Sequence, residues 1–214
     1  MNVIVVGGGS PNKFGNDLVN RLRGEGHDVY ILSHRDNGTN DLKQVIADFS
    51  SFDDVLDKFK TILTALPNLD LLVYNSNCGN YPATEDDLKS TSLVNDKEWQ
   101  QTFLVHVIIP HALSIEALKK MSSNSKMVFM SSGLAIDYKR TEWTNAVGYA
   151  SGKAGQTQLM LGLAHNNDKG VIVTSILPFF QYDNKEIYQT IFERAYNYIS
   201  NLSIENNGKI ENIC

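Results

Sequence analysis

The sequence predicts an α/β domain built on a doubly wound, mostly parallel sheet in three layers. Three observations carry that expectation. Short apolar runs alternate with stretches of helical spacing along the chain, the pattern of repeated β-α units. The runs are continuously apolar rather than alternating, as strands buried on both faces must be. The first run stops at Gly7-Gly8-Gly9 and leads into a helix, where sheets of this kind take up ligands.

Val3 to Val6 is the first strand. A helix follows from about Phe14 to Arg23, with Leu18, Val19 and Leu22 on one stripe and Gly24 and Gly26 as its stop. Asp28 to Leu32 and Val45 to Ala47 read as the next two strands, joined by a polar stretch too short for a normal crossover helix. Phe52, Val55, Leu56, Phe59, Ile62, Leu63 and Leu66 recur at helical spacing up to Pro67. Leu71 to Tyr74 is the fourth strand, and a long helix is expected from about Asp96 to Met121. Met127 to Met130, a helix from Tyr149 to His165, and Val171 to Leu177 complete the alternation. Lys209 to Cys214 is the candidate final strand. Crossovers between such strands wind right-handed.

With 214 residues, 42% of them hydrophobic and 20% charged, the chain suits a single globular domain over 1–214. The 24 acidic residues outnumber the 19 basic ones, which argues against a nucleic-acid partner held by phosphate neutralisation. Cys78 and Cys214 are too few for a disulfide framework, and the Val3–Val6 run is far shorter than a signal-peptide core or a membrane span. The expectation is a cytoplasmic protein with no membrane partner.

Polar groups gather where the sheet should bind. The strand ends carry the glycine loop, then Ser33-His34-Arg35, Asp48-Phe49, Asn75-Ser76-Asn77 and Ser131-Ser132-Gly133. Glycines let the backbone approach a pyrophosphate and the following helix supplies N–H groups, although Gly7 to Gly9 also suits a plain tight turn. Tyr149 and Lys153 stand four apart on one helix face. A nearby cation lowers a phenol towards working pH, as a general acid/base needs. Such a pair is also a common solvated surface contact. Here it opens the helix that follows Ser131-Ser132-Gly133, whose hydroxyls can polarise a carbonyl.

These residues together resemble the short-chain dehydrogenase/reductase family, over residues 1 to about 178. The family's glycine fingerprint resembles Gly9-Ser10-Pro11-Asn12-Lys13-Phe14-Gly15, with Lys13 in place of the middle glycine. Its adenine-binding aspartate matches Asp48, beside Phe49, and its Asn-Asn-Ala-Gly strand end is altered to Asn75-Ser76-Asn77. Its catalytic serine, tyrosine and lysine match Ser132, Tyr149 and Lys153, with a small insertion around Lys139 to Thr144 between the first two. Its Pro-Gly after the sixth strand is Pro178-Phe179 here. The resemblance implies a Rossmann-like fold and hydride transfer between a nicotinamide and a carbonyl or alcohol. It implies Tyr149 as general acid, Ser132 on the carbonyl oxygen, and Lys153 lowering the Tyr149 pKa and binding the ribose. It also implies a homodimer or homotetramer, joined through the two long helices.

Cofactor choice rests on the second strand. Ser33-His34-Arg35 offers cations where an acidic residue selects NAD, and Lys13 lies nearby in the resemblance. Arg35 can pair a 2′-phosphate by bidentate bonds, so NADP is expected ahead of NAD, unless Arg35 is only a solvated loop charge.

The family's active-site asparagine falls at His106, which is either a packed helix histidine or a residue of the site. No metal is expected, because His106 and His111 point to different helix faces. Pro110 lacks an N–H, so the carbonyl of His106 is expected to lose its helical bond and the helix to kink there, leaving that carbonyl for a proton path from Lys153. A short substrate-side segment, about 179–207, replaces the family's longer lid. Phe179, Phe180, Tyr182, Leu134, Ile136, Trp143 and Tyr81 are equally pocket or core. Two other readings remain open: a non-catalytic NADP-binding sensor or scaffold, and a flavin- or tetrapyrrole-type reductase.

Overall fold

The computed structural model describes residues 1–36, 41–77, 96–136, 147–180 and 182–213. Cys78, Tyr81, Trp143, Cys214 and the expected insertion around Lys139 lie outside them. The strands are β1 (Asn2–Val6), β2 (Asp28–Ser33), β3 (Gln44–Ile46), β4 (Leu71–Tyr74), β5 (Lys126–Met130), β6 (Ile172–Pro178) and β7 (Ile210–Ile213). They form one sheet in the order β3-β2-β1-β4-β5-β6-β7, every neighbouring pair parallel. The order reverses between β1 and β4, the switch point at which open α/β sheets bind ligands.

Strand alternation splits the core into two layers. Val3 and Val5 join one apolar cluster with Leu18, Leu22, Phe192 and Ile199, from α1 (Phe14–Gly24) and α6 (Lys185–Ser200). Ile4 and Val6 join the other with Phe59 of α2 (Phe52–Ala65), Ile109 and Leu113 of α4 (Ile109–Leu118), and Met160 of α5 (Val147–Asn166). Val3 to Val6 of β1 are therefore fully buried, which explains their unbroken apolar run.

Two differences from the sequence reading matter. The long helix is interrupted: α3 (Asp96–Phe103) passes into a π-helical turn, Leu104–Ile108, before α4 begins. Residues 179–207 also hold a helix the periodicity reading passed over. Asn184 caps α6 by accepting the Ile187 N–H, and Ile191, Phe192, Ala195 and Ile199 are buried along it. Phe180 stacks on Phe14 at 4.9 Å between ring centroids, a partly buried ring packed against a core one.

Candidate active site

The glycine loop is welded to two strand ends. A Cβ at Gly9 would lie 2.4 Å from both the Arg35 carbonyl oxygen and the Ser33 Oγ, so only glycine lets the loop close on the end of β2. The Asn75 amide donates to the Gly7 carbonyl at 3.2 Å, tying the loop to the end of β4. Lys13 occupies the fingerprint's middle glycine without strain, because its backbone is extended (φ −126°). The left-handed residue is Asn12 instead (φ 57°), and asparagine tolerates that conformation. The Lys13 ammonium sits 3.8 Å from the Tyr182 ring centroid, directed to the segment after β6 rather than engaged with Arg35.

The adenosine side, as the fold would place it, is built from β2, β3 and α2. Ser33 is buried and donates to the Arg35 carbonyl at 2.8 Å, so it shapes the strand end rather than facing a ligand. His34 and Arg35 are exposed, and the His34 ring meets Phe49 edge-on at 6.3 Å. Partial desolvation and the neighbouring Arg35 charge hold the His34 imidazole below its ordinary pKa. Asp48 accepts from the Ser50 hydroxyl and N–H, which hold its carboxyl below the ordinary value. A cleft of about 690 Å³ opens here, lined by His34, Ile46, Asp48, Asp54 and Lys58. Phe49 itself is buried, and its carbonyl accepts from Gln101.

The other end gathers Ser132, Tyr149 and Lys153. Ser132 caps a short 3₁₀ turn, Gly133–Ala135, accepting the Leu134 N–H at 3.3 Å. That turn packs against α5, whose first turn carries the half-buried Tyr149 beside Leu134 and Ala150. Lys153 is 2% exposed, its Nζ donating to the Met130 carbonyl at 2.7 Å and the Gln156 Oε1 at 3.3 Å. The amine lies 5.9 Å from the Tyr149 ring centroid. Burial pushes Lys153 down to about 7.

His106 is fully buried, and its Nε2 lies 3.1 Å from the Asn77 Oδ1. Its ring meets Tyr149 edge-on at 5.6 Å. A Cβ at Gly152 would come within 2.8 Å of the His106 Nδ1, so α5 can approach only because that residue is glycine. Burial, reinforced by the Lys153 charge, holds the imidazole well below 6.5 and therefore neutral. Ser76 is buried beside Asn77, while Pro178 ends β6 and the Phe179 N–H donates to the Ile213 carbonyl of β7. The Phe179 side chain is left exposed.

The helix irregularity appears in another register than expected. The Ile109 N–H donates to the Leu104 carbonyl, five residues back, so it is taken from Val105, and Pro110, next in this register, has no N–H to replace it. The Val105 carbonyl takes the Tyr74 hydroxyl instead, at 2.8 Å. Tyr74→Phe should therefore strand a buried carbonyl and cost about 1–3 kcal/mol of stability in urea unfolding. Adding Pro110→Ala, which restores an N–H, should recover part of that loss.

The structure thus brings Tyr149, Lys153, His106 and Asn77 together, with the Ser132 turn against the same helix, and sets Gly9 against the Arg35 backbone, with Asp48 lining the cleft beside His34. Lys13 and Phe14 lean towards Tyr182 and Phe180. Sequence reasoning overlooked Gln156. Its signal was a polar residue on the buried stripe that Lys153 and Met160 share.

Residues 2–182 match the family model described as short chain dehydrogenase. No protein of curated function matches the sequence. The fold is shared with solved structures of low identity. An oxidoreductase of that family from Brucella ovis, in complex with a partially ordered NAD, is 18% identical with a TM-score of 0.79, covering 100% of this chain and 99% of its own. A short chain dehydrogenase from Burkholderia cenocepacia in complex with NADP is 17% identical with a TM-score of 0.77, covering 99% and 95%. The ligand-free aldohexose dehydrogenase of Thermoplasma acidophilum is 18% identical with a TM-score of 0.77, covering 99% and 91%.

Proposed function

Since the chain belongs to the short chain dehydrogenase family of oxidoreductases, we propose that it is an NADP-dependent reductase of a small carbonyl compound, or the corresponding alcohol dehydrogenase, acting in the cytoplasm. One observation carries the reading: Tyr149 stands over a buried lysine amine, on the helix that packs against the Ser132 turn.

The residues present fit a dinucleotide. Gly9 keeps the loop close to β2, the amino end of α1 lies above it, and the cleft by His34 and Asp48 offers room for an adenine. Arg35, with Ser10 on the loop, would hold the adenosine ribose and its 2′-phosphate, and Asn75, Asn77, Lys153 and Pro178-Phe179 would hold the nicotinamide end. When bound, the cofactor supplies the hydride. The chain supplies the proton and its placement. Tyr149 donates from its hydroxyl to the substrate oxygen, with Ser132 as a second donor to the charge growing there. The Lys153 cation favours the phenolate that Tyr149 leaves behind. His106, neutral at working pH, positions Asn77 rather than carrying charge.

NADPH binding should exceed NADH binding. Arg35→Ala should weaken NADPH about ten-fold or more and leave NADH within about two-fold, read by cofactor fluorescence. Equal losses would remove Arg35 from phosphate recognition. Oxidation of NADPH against a carbonyl panel and free flavin tests the reaction class.

A homodimer or homotetramer fits the surface. Trp99–Leu118 is, among the described residues, the stretch long and apolar enough to cross a membrane, and 44% of its most apolar window is buried within the protein. Ile108 and Ile115 stand exposed on it, an apolar face suited to a second copy.

A further inference from the structure

We propose that Gln156 is a positioning residue for the reaction, its side-chain oxygen fixing the Lys153 amine beneath Tyr149. The proposal rests on the reading of Tyr149 and Lys153 as the proton-transfer pair, and adds a residue to it.

Packing alone argues against a glutamine there. Gln156 is 0% exposed, and its Nε2 has no acceptor within hydrogen-bond distance among the described residues. A buried amide donor without a partner is costly, whereas methionine, the residue one turn later at Met160, fills similar space without polar atoms. What the amide contributes is its oxygen, 3.3 Å from the Lys153 Nζ.

The geometry suits a buried cation that must keep its field. An ammonium carries three N–H groups. The Met130 carbonyl takes one at 2.7 Å and Gln156 a second, leaving the third for the site. Two anchors from different elements, β5 and α5, hold the amine in place. A carboxylate at the same position would bind it more strongly but cancel its charge, and with it the help given to a tyrosinate. A neutral amide anchors without neutralising.

The groups around Lys153 leave this balance to few partners. The π-helical turn presents the neutral His106, and α5 itself presents Tyr149. β4 presents Tyr74, whose hydroxyl is held by the Val105 carbonyl. β5 and the residues after it contribute Ser131, which meets the Lys153 carbonyl at 3.2 Å, and Ser132. β6 carries no titratable side chain. Burial lowers the amine, so its remaining acceptors decide how far.

The test follows Lys153 directly, by NMR titration of the cofactor-free protein with labelled lysine ε-methylenes, the signal assigned by its loss in Lys153→Met. Gln156→Met should lower the Lys153 midpoint by about one unit or more, as expected when a charge-assisted hydrogen bond is lost. Gln156→Glu should raise it by at least as much. In NADPH-dependent reduction of phenanthrenequinone, Gln156→Met should shift the pH profile of kcat with little change in KM. Midpoints within about 0.3 unit of the parent in the folded variants would overturn the proposal and leave Gln156 a space-filling residue. If Gln156→Met does not fold, Gln156→Glu alone decides. A Lys153 midpoint that responds while Tyr149→Phe keeps its turnover upholds the pairing and defeats the catalytic reading. An unresponsive midpoint with Tyr149→Phe inactive does the reverse.

Discussion

Tyr149→Phe should lower turnover by about 10²–10⁴-fold, the range a positioned general acid contributes. The fold should survive, because the ring keeps its contacts with Leu134 and Ala150 and its edge-on meeting with His106. Only the hydroxyl is removed. Affinity for NADPH should fall by no more than about ten-fold, since a lost neutral hydrogen bond typically costs about 0.5–1.5 kcal/mol. Single-turnover kinetics and cofactor fluorescence separate the two effects. Full activity in this variant, on any substrate the protein turns over, would dismiss the carbonyl mechanism in favour of a flavin-type reductase. An inactive parent that still binds NADPH tightly would point to the sensor.

Lys153→Met should abolish activity to a similar degree and make the protein more stable. The gain should be about 1–4 kcal/mol, the range seen when buried charged groups give way to apolar side chains of similar volume. The pH dependence identifies the cause. The folded-state value, about 7, lies below the ordinary 10.5 of an unfolded lysine. Between those limits the unfolded chain binds more protons than the native one, so the parent gains stability as pH rises from about 7 to 10.5. Below about 7 the burial cost is felt in full. The advantage of Lys153→Met should therefore be largest at and below neutral pH and shrink towards pH 10.5. Urea unfolding across that window is the measurement. A variant less stable than the parent at neutral pH would show that the Met130 and Gln156 bonds outweigh the cost of burial. Stability given up at a functional position is a common exchange.

Local chemistry explains why some of the site could be read directly. Val3 to Val6 followed by glycines is a statement about strand burial and backbone approach, and both are decided by side-chain size. Tyr149 and Lys153 share a face because a helix turns every 3.6 residues, whatever surrounds it. The parallel arrangement of β4, β5 and β6 likewise follows from short apolar runs separated by crossovers. α6 is legible in the same way, since Ile191, Phe192, Ala195, Tyr196 and Ile199 recur at helical spacing and Asn184 caps it, although the stretch is read above only as a substrate-side segment.

The sequence by itself determined the doubly wound fold, the glycine-loop context and the Tyr149–Lys153 pair, since each depends on residues close together in the chain. Tertiary structure decided everything that depends on what lies across a gap. Lys13 turned to Tyr182 because an aromatic ring from beyond β6 stands within reach of its ammonium. The Val105 carbonyl lost its helical donor because the helix adopted π register ahead of Pro110, with Tyr74 from β4 supplying another. Lys153 became a weakly basic amine, and Gln156 its anchor, only because α5 pressed that face into the sheet. A group's proton affinity is set by its surroundings in space, and those include residues more than twenty positions away in the chain, such as Met130.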